Sequence, residues 1–429
     1  MIHFAGTLGF GDLASLAIDG SLFAANAVEK LERLQAELLP LSERYDVVVA
    51  NPPYMGGSNM NKWISAWVKN NYANAKRDLC TCFVDRGFSL ANDCGHISMI
   101  TASSWMFISS FEEFRKSLLR RSSITSMIQQ STHGYAGVTV PTTMFALAEG
   151  AQGVTGTYIR LEDFDRPQWQ EPRALEALAN PDCGWLYLRS GSDYVVIDGA
   201  PIAYWLSPGY YKLLSKKERM EDSYEIGSGL STSDNERFLR RIWEVSFSKI
   251  SSGKTNDAKW SLFQKGGSFR KWYGNLEYVV NWENDGEDIK YWVTHNPKDP
   301  NTKVWSRRIF NTHLYFEVGI TWSLISSDEI SFRFLPAQSM ISNAAGGVFG
   351  FKNRDELLSV LGALNSSVHT GAFKVINPTI NFSSGVVQGS PLCEIVVGVP
   401  SIVEENIDIS KTDWDAEETS YEFKRHPLL

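Results

Sequence analysis

The chain has 429 residues, 43% of them hydrophobic and 21% charged, proportions that exclude wholesale disorder and suggest two or three domains. Its 41 basic and 49 acidic residues leave a net charge of -8, which excludes a binder relying on overall positive charge but allows a local basic face. The five cysteines form no CxxC pair or zinc-type cluster, Met1–Gly20 has no basic leader region, and no apolar run approaches about 18 residues, so a reduced, cytoplasmic protein without metal or membrane span is expected.

In chain order, Leu22, Ala25, Val28, Leu31, Leu34 and Leu38 recur at helical spacing and predict a helix from Ser21 to Leu39. Tyr45–Ala50 is a short β-branched run, the pattern of a buried parallel strand. It stops at Asn51-Pro52-Pro53-Tyr54, where two prolines end ladder pairing. A helix over Asp78–Leu90 and a strand over Gly95–Ile100 follow, the latter ending in Thr101–Ser104. Phe111–Arg120 reads as a helix, Ile124–Gln129 as a strand and Val138–Ala148 as a hairpin arm. Strands alternating with helices predict an α/β layer, and ligands of such sheets sit at the carboxyl ends of strands, where Asn51 and Ser103 fall.

The Asn51–Tyr54 tetrapeptide has a specific chemical capacity. The Asn51 side-chain carbonyl and the Pro52 backbone carbonyl can accept both hydrogens of one exocyclic amino group. That arrangement draws the nitrogen out of conjugation and exposes its lone pair. Tyr54 offers a flat face for a heterocycle, and the prolines fix the shape before reaction. Such a site suits an amino nitrogen attacking a methyl sulfonium in line, with its proton lost after attack. The bland alternative is a proline-stiffened loop.

Asp46-Val47-Val48-Val49-Ala50-Asn51-Pro52-Pro53-Tyr54 resembles the catalytic motif of amino-group DNA methyltransferases that use S-adenosylmethionine. Arg77-Asp78-Leu79 with Phe83-Val84 and Gly87-Phe88, Gly95–Ile100 and Gly137–Thr143 resemble the family's next helix, strand and pocket-walling hairpin. Within that class the chain is similar to the PglX adenine methyltransferases of BREX phage-defence systems and to restriction-linked relatives. Gly229–Phe238, Phe269–Asn275, Val280–Gly286, Asp413–Ala416 and Phe423 extend the match over nearly the whole length.

The resemblance implies a partial Rossmann-like methyltransferase sheet in residues 1–150, a connecting region over 151–225 and an α+β target-recognition region over 226–429. It implies Asn51, Pro52, Pro53 and Tyr54 as catalytic residues. Tyr135, Asn235, Arg270, Lys271 and Trp272 are the candidate substrate-binding residues. Double-stranded DNA is the implied partner and S-adenosylmethionine the implied cofactor. Family members place a glycine-rich cofactor turn and an acidic ribose ligand upstream of the motif, and only fifty residues precede Asn51. Gly9-Phe10-Gly11 lacks the preceding apolar strand such a turn requires. The expectation is therefore a chain lacking the cofactor-binding half: a truncated protein, a split gene product or one part of a two-chain enzyme. Further sequence beyond Leu429 is also expected. A non-catalytic DNA-recognition or defence module, completed by a separate cofactor-binding chain or other defence proteins, is the alternative. Methylation of protein glutamine or RNA bases is a weaker one.

Downstream, 151–225 is proline-rich, and Pro201–Trp205 is expected to start the next unit. From Glu236 to Arg308, fourteen basic residues stand against nine acidic, an excess of five, with Trp272, Tyr273, Trp282, Trp292 and Trp305 interleaved. Basic groups fix phosphate register and planar or polar groups reach bases, so a DNA-contacting surface is expected here. The tail from Ser401 reverses sign and is expected to pack elsewhere. Among single residues, Asp78 either supports the catalytic loop or caps a helix, and Phe145 could wall a base pocket or fill the core. His96, inside an apolar strand, reads as a satisfied structural histidine, and Gly346-Gly347 as a turn before Val348–Phe351.

Overall fold

Tyr45–Ala50 forms β1, and the sheet grows from it in one direction only. Ala91–Ala102 (β2) pairs with β1 in parallel, Val48 opposite Ile97 and Ala50 opposite Met99. Thr142–Glu149 (β4) lies antiparallel to β2, and Ser122–Gln129 (β3) antiparallel to β4. Thr155–Arg160 (β5) and Leu186–Ser190 (β6) complete a six-stranded mixed sheet of order β1-β2-β4-β3-β5-β6. The computed structural model describes residues 22–135, 140–151, 153–251, 253, 258–326, 329–377, 379–393 and 398–426. No helix among them is long and apolar enough to cross a membrane.

Helices α1 (Leu22–Ser42), α2 (Lys62–Asn71), α3 (Leu79–Leu90), α4 (Glu112–Arg121) and α5 (Pro167–Ala179) accompany this sheet. In α3, Cys80, Cys82, Val84 and Phe88 are buried, and a Cβ on Gly87 would come within 3.0 Å of Ile97. Glycine there allows the helix to lie close on β2. Trp105, Phe114 and Phe145 meet edge-on, at centroid distances of 5.6 and 5.4 Å, in the core that also holds Tyr158 and Tyr204.

Several expectations are corrected. β1 is not buried on both faces: Val47 and Val49 are 59% and 73% exposed. β1 is an edge strand of the described sheet, with no described strand paired to its outer side. His96 faces outward because strand alternation buries Ile97 beside it. Residues 151–225 do more than connect: they supply β5, β6 and α5. Pro201–Trp205 closes the first unit, since Ile202 and Tyr204 are fully buried in its core. The first unit ends at Ser207 and the second begins at Pro208. Helix α2 was not anticipated; Asn61 caps it by accepting from the Ile64 amide at 2.8 Å. The expected hairpin arm contains β4, while Val138, Thr139 and Gly9–Gly11 lie outside the described residues.

The second unit is α+β, with two small sheets. One has Leu239–Arg241 (β8), Ile250–Ser251 (β9), Trp260–Gln264 (β10), Tyr278–Asn281 (β11) and Ser339–Ile341 (β14). The other has Glu225–Ser228 (β7), Gly319–Ser323 (β12), Phe332–Leu335 (β13) and Ala345–Phe349 (β15) in the order β13-β12-β15-β7. Gly346 and Gly347 lie inside β15, not in a turn. The Trp322 indole on β12 and the Phe349 ring fill the space their side chains would take. The acidic tail forms the helix Val399–Trp414, which buries Val403 and Ile407. It ties back through Glu404 to Arg354 and through Asp413 to Arg270.

Candidate active site

The strand order explains where the site forms. β1 runs out at Ala50, β2 at Ala102, and β4 starts opposite that end with Thr142 paired to Ala102. Asn51, Pro52 and Tyr54 therefore meet Ile100, Thr142 and Met144 at one sheet edge. Together with Tyr135 they line a cavity of about 640 Å³. Pro52 is buried, while Asn51 is exposed. Neither the Asn51 side chain nor the Pro52 carbonyl has a hydrogen-bond partner among the described residues. Two free acceptors therefore border a space large enough for a planar heterocycle.

Tyr54 and Tyr135 are 39% and 41% exposed, unusual for rings at a sheet edge and suited to stacking. Burial raises the Tyr54 phenol above its ordinary value, and Cys80 and Tyr135 add to that rise. Tyr54 is thus a neutral ring at physiological pH, a face and not a base. Burial also pushes the Cys82 thiol up to about 12, helped by Asp85 and Asp78, and Cys80 higher still. Both remain thiols and take no part as nucleophiles.

Two clamps set the cavity walls. The Asp78 carboxylate accepts from the Met55 amide at 3.1 Å and from the Cys80 amide at 3.0 Å, so it caps α3 and holds the loop after Tyr54. The Leu79 amide donates to the Met55 carbonyl and the Gly57 amide to that of Arg77, at 3.0 and 2.9 Å. Asp78→Ala removes the cap and the loop anchor together, with an expected stability loss of about 1–2 kcal/mol by chemical denaturation. A variant as stable as the parent would show that the loop is held by the backbone bonds alone. On the opposite side, Ser103 donates from its amide to the Pro141 carbonyl at 2.9 Å, and Thr142 from its hydroxyl to Gln130 at 2.8 Å. The Tyr204 hydroxyl donates to Gln129 at 2.8 Å and braces the end of β3. Phe145 belongs to the core, 2% exposed, and not to the cavity.

The other sequence candidates lie in the second unit. Arg270 ion-pairs with Asp413, donates to the Tyr273 carbonyl at 3.2 Å and lies over the Trp414 ring. Lys271 donates to the Asn365 carbonyl at 3.2 Å. Trp272 is half-buried with φ 72° and exchanges backbone bonds with Phe332 and Phe334. These three residues hold the unit together. Asn235 is exposed, its side chain accepting from the Thr232 hydroxyl at 2.7 Å. Much of the basic stretch is internally paired: Arg241 with Glu277, Lys290 with Asp285, Arg308 with Asp299. Thr142 falls within the expected pocket-walling Gly137–Thr143 segment, while sequence reasoning missed Ile100 and Met144, which the β2–β4 register brings to the cavity.

Residues 19–134 match the family described as the Eco57I restriction-modification methylase. The chain is 35% identical over 403 residues to the adenine-specific methyltransferase PglX of Lacticaseibacillus casei strain Zhang, covering 91% of this chain and 33% of that protein. It is 31% identical over 424 residues to the adenine-specific methyltransferase BrxX of Escherichia coli O9:H4 strain HS, covering 97% and 33%. The likeness is to the PglX methyltransferases. It runs through both units, and the chain spans about a third of the length of these curated relatives. The Type IIL restriction-modification enzyme MmeI, solved in complex with DNA, superposes with a TM-score of 0.54 at 12% identity, over 88% of this chain and 50% of that one. That likeness concerns the fold.

Among the described residues, the cavity lining contains no carboxylate and no glycine turn. Its two free carbonyl acceptors and its phenol rings are the chemistry of a site for an aromatic amine. They do not supply partners for the ribose or carboxylate of a methyl-donating nucleotide.

Proposed function

We propose that this chain carries the methyl-acceptor half and a recognition region of a DNA methyltransferase acting on adenine N6 in phage defence or restriction-modification. The observation that carries the reading is the pair of unpartnered acceptors, Asn51 Oδ1 and the Pro52 carbonyl, opening on a cavity walled by Tyr54 and Tyr135. The target adenine leaves the base stack, at a cost of a few kcal/mol, and stacks on Tyr54. Asn51 and Pro52 then accept the two amino hydrogens and turn the nitrogen lone pair outward. S-adenosylmethionine, when bound, supplies an electrophilic methyl group. Loss of the amino proton follows attack, so no strong base is needed, in keeping with a lining whose titratable side chains are tyrosines. The rigid Pro52-Pro53 step holds the acceptors in place before reaction, which limits reorganisation. A cytoplasmic location fits this role.

The exposed outer edge of β1 supports a second element of the proposal. Val47 and Val49 are apolar and uncovered, and β1 pairs only with β2 in the described sheet. A cofactor-binding layer, on the same or another chain, would add a strand there and cover them. Calorimetric titration of this chain alone with S-adenosylmethionine is expected to give no binding heat. Binding by the chain alone would contradict the need for such a layer.

A further inference from the structure

Beside the base cavity lies a second cavity of different character, of about 470 Å³. It is bordered by Ser58 of the loop after Tyr54, Ser65 and Lys69 of α2, Lys76 and Arg77 before α3, and Ser104 after β2. Ser65 and Lys69 are one helical turn apart and share a face of α2. Lys69, Lys76 and Arg77 are exposed, and none of the three side chains has an ion-pair or hydrogen-bond partner among the described residues. By contrast, the Lys116, Arg121, Arg160 and Arg173 side chains of the same unit are held by carboxylates. The one carboxylate at the cleft, Asp78, already accepts from the Met55 and Cys80 amides through one oxygen. Three cations with hydroxyl donors around a small cleft are the chemistry of an anion site, and one carboxylate leaves the balance positive.

The position of the cleft narrows the anion. It shares the loop of residues 54–58 with the base cavity: Tyr54 borders one and Gly56–Ser58 the other. The Gly57 amide bonded to the Arg77 carbonyl, and the Gly56–Asp78 bridge, fix that loop against the segment carrying the cations. A base entering the first cavity remains joined through its sugar to two backbone phosphates. Phosphate contacts are what hold register while the base is handled elsewhere.

We propose that Lys69, Lys76 and Arg77, with Ser58 and Ser65, form a phosphodiester grip on the DNA backbone next to the extruded nucleotide. This rests on the methyl-acceptor reading for which nucleotide is held, but not for the binding of phosphate. The grip would clamp the strand beside the target and leave base choice to other residues.

The test is salt-dependent binding of this chain to a duplex of about 25 base pairs by fluorescence anisotropy, over roughly 50 to 200 mM salt. Each phosphate contact contributes about 0.9 to the slope of log K against log salt. The K69Q/K76Q/R77Q variant is expected to lose about 1–2 from the magnitude of that slope and about tenfold in affinity at low salt. K116Q, which removes a cation already paired to Glu112 at 2.5 Å, is expected to bind like the parent. A triple variant with the parental slope overturns the grip, as does a parent chain that fails to bind duplex at the lowest salt. The methyl-acceptor reading fails separately, through methyl transfer that survives Asn51→Ala while the slope difference stands.

Discussion

Asn51→Ala is expected to lower methyl transfer to DNA by on the order of 10²–10³-fold or more, in a protein carrying this chain together with a cofactor-binding half. The side-chain carbonyl of Asn51 is one of two acceptors bordering the cavity and has no competing partner among the described residues. Without it one amino hydrogen faces solvent, and the nitrogen lone pair stays delocalised into the ring. The loss falls in the chemical step, so turnover drops while DNA affinity remains near the parental value. Tyr54→Ala is expected to cost a similar amount by removing the stacking face, with Tyr54→Phe retaining most activity because the phenol stays neutral. Single-turnover methylation and equilibrium DNA binding, measured together, check this. A Tyr54→Phe variant as inactive as Tyr54→Ala would show that the hydroxyl, and not the ring, is needed.

Arg115→Met is expected to destabilise the first unit by about 3–4 kcal/mol, the largest stability effect foreseen in that unit. Arg115 is 1% exposed, on the inner face of α4. It donates from Nε to the Gly199 carbonyl and from Nη1 to the carbonyls of Trp105 and Ile108, each at 2.8 Å. Burial lowers its guanidinium to about 10, so it keeps its charge at neutral pH. Methionine fills much of the volume but leaves the Trp105 and Gly199 carbonyls without this donor, and the Ile108 carbonyl with only the Phe111 amide. The turn Ser103–Met106, whose first residue bonds Pro141 at the cavity wall, loses its anchor at the same time. In a unit of about 200 residues this corresponds to a fall of roughly 6–16 °C in the first thermal transition. Arg115→Lys is expected to lie between, since an ammonium cannot span the same three carbonyls. A Met variant within about 1 kcal/mol of the parent would mean that water or a backbone shift replaces these bonds.

The parts legible in the sequence are those where local signals and the fold agree. The Tyr45–Ala50 run, the proline stop and the apolar pattern of Gly95–Ile100 all mark real strands, and Asn51 does fall at a strand's carboxyl end. Asp78 could be read as a cap or as a loop support, and it is both, because one carboxylate oxygen reaches two amides on either side of a tight crossing. What was not legible depends on partners far away in the chain. Arg270 reads as a DNA contact until Asp413, 143 residues later, is brought against it. Gly346-Gly347 reads as a turn until the Trp322 ring on the neighbouring strand claims the space. His96 reads as a structural histidine because it sits inside an apolar strand, yet strand alternation turns it to the surface. The basic cleft was not legible because Lys69, Lys76 and Arg77 form no run; α2 and the segment before α3 bring them together only in three dimensions.

The central claim is that the Asn51–Tyr54 site presents an adenine amino group of DNA for methylation. The most direct measurement is nucleoside mass spectrometry of duplex DNA, RNA and protein substrates after incubation with the chain, a complementing cofactor-binding half and S-adenosylmethionine. The account predicts N6-methyladenine in DNA alone, abolished by Asn51→Ala. Methyl groups on cytosine, on RNA or on glutamine, or N6-methyladenine formed equally well by the Asn51→Ala protein, would contradict it.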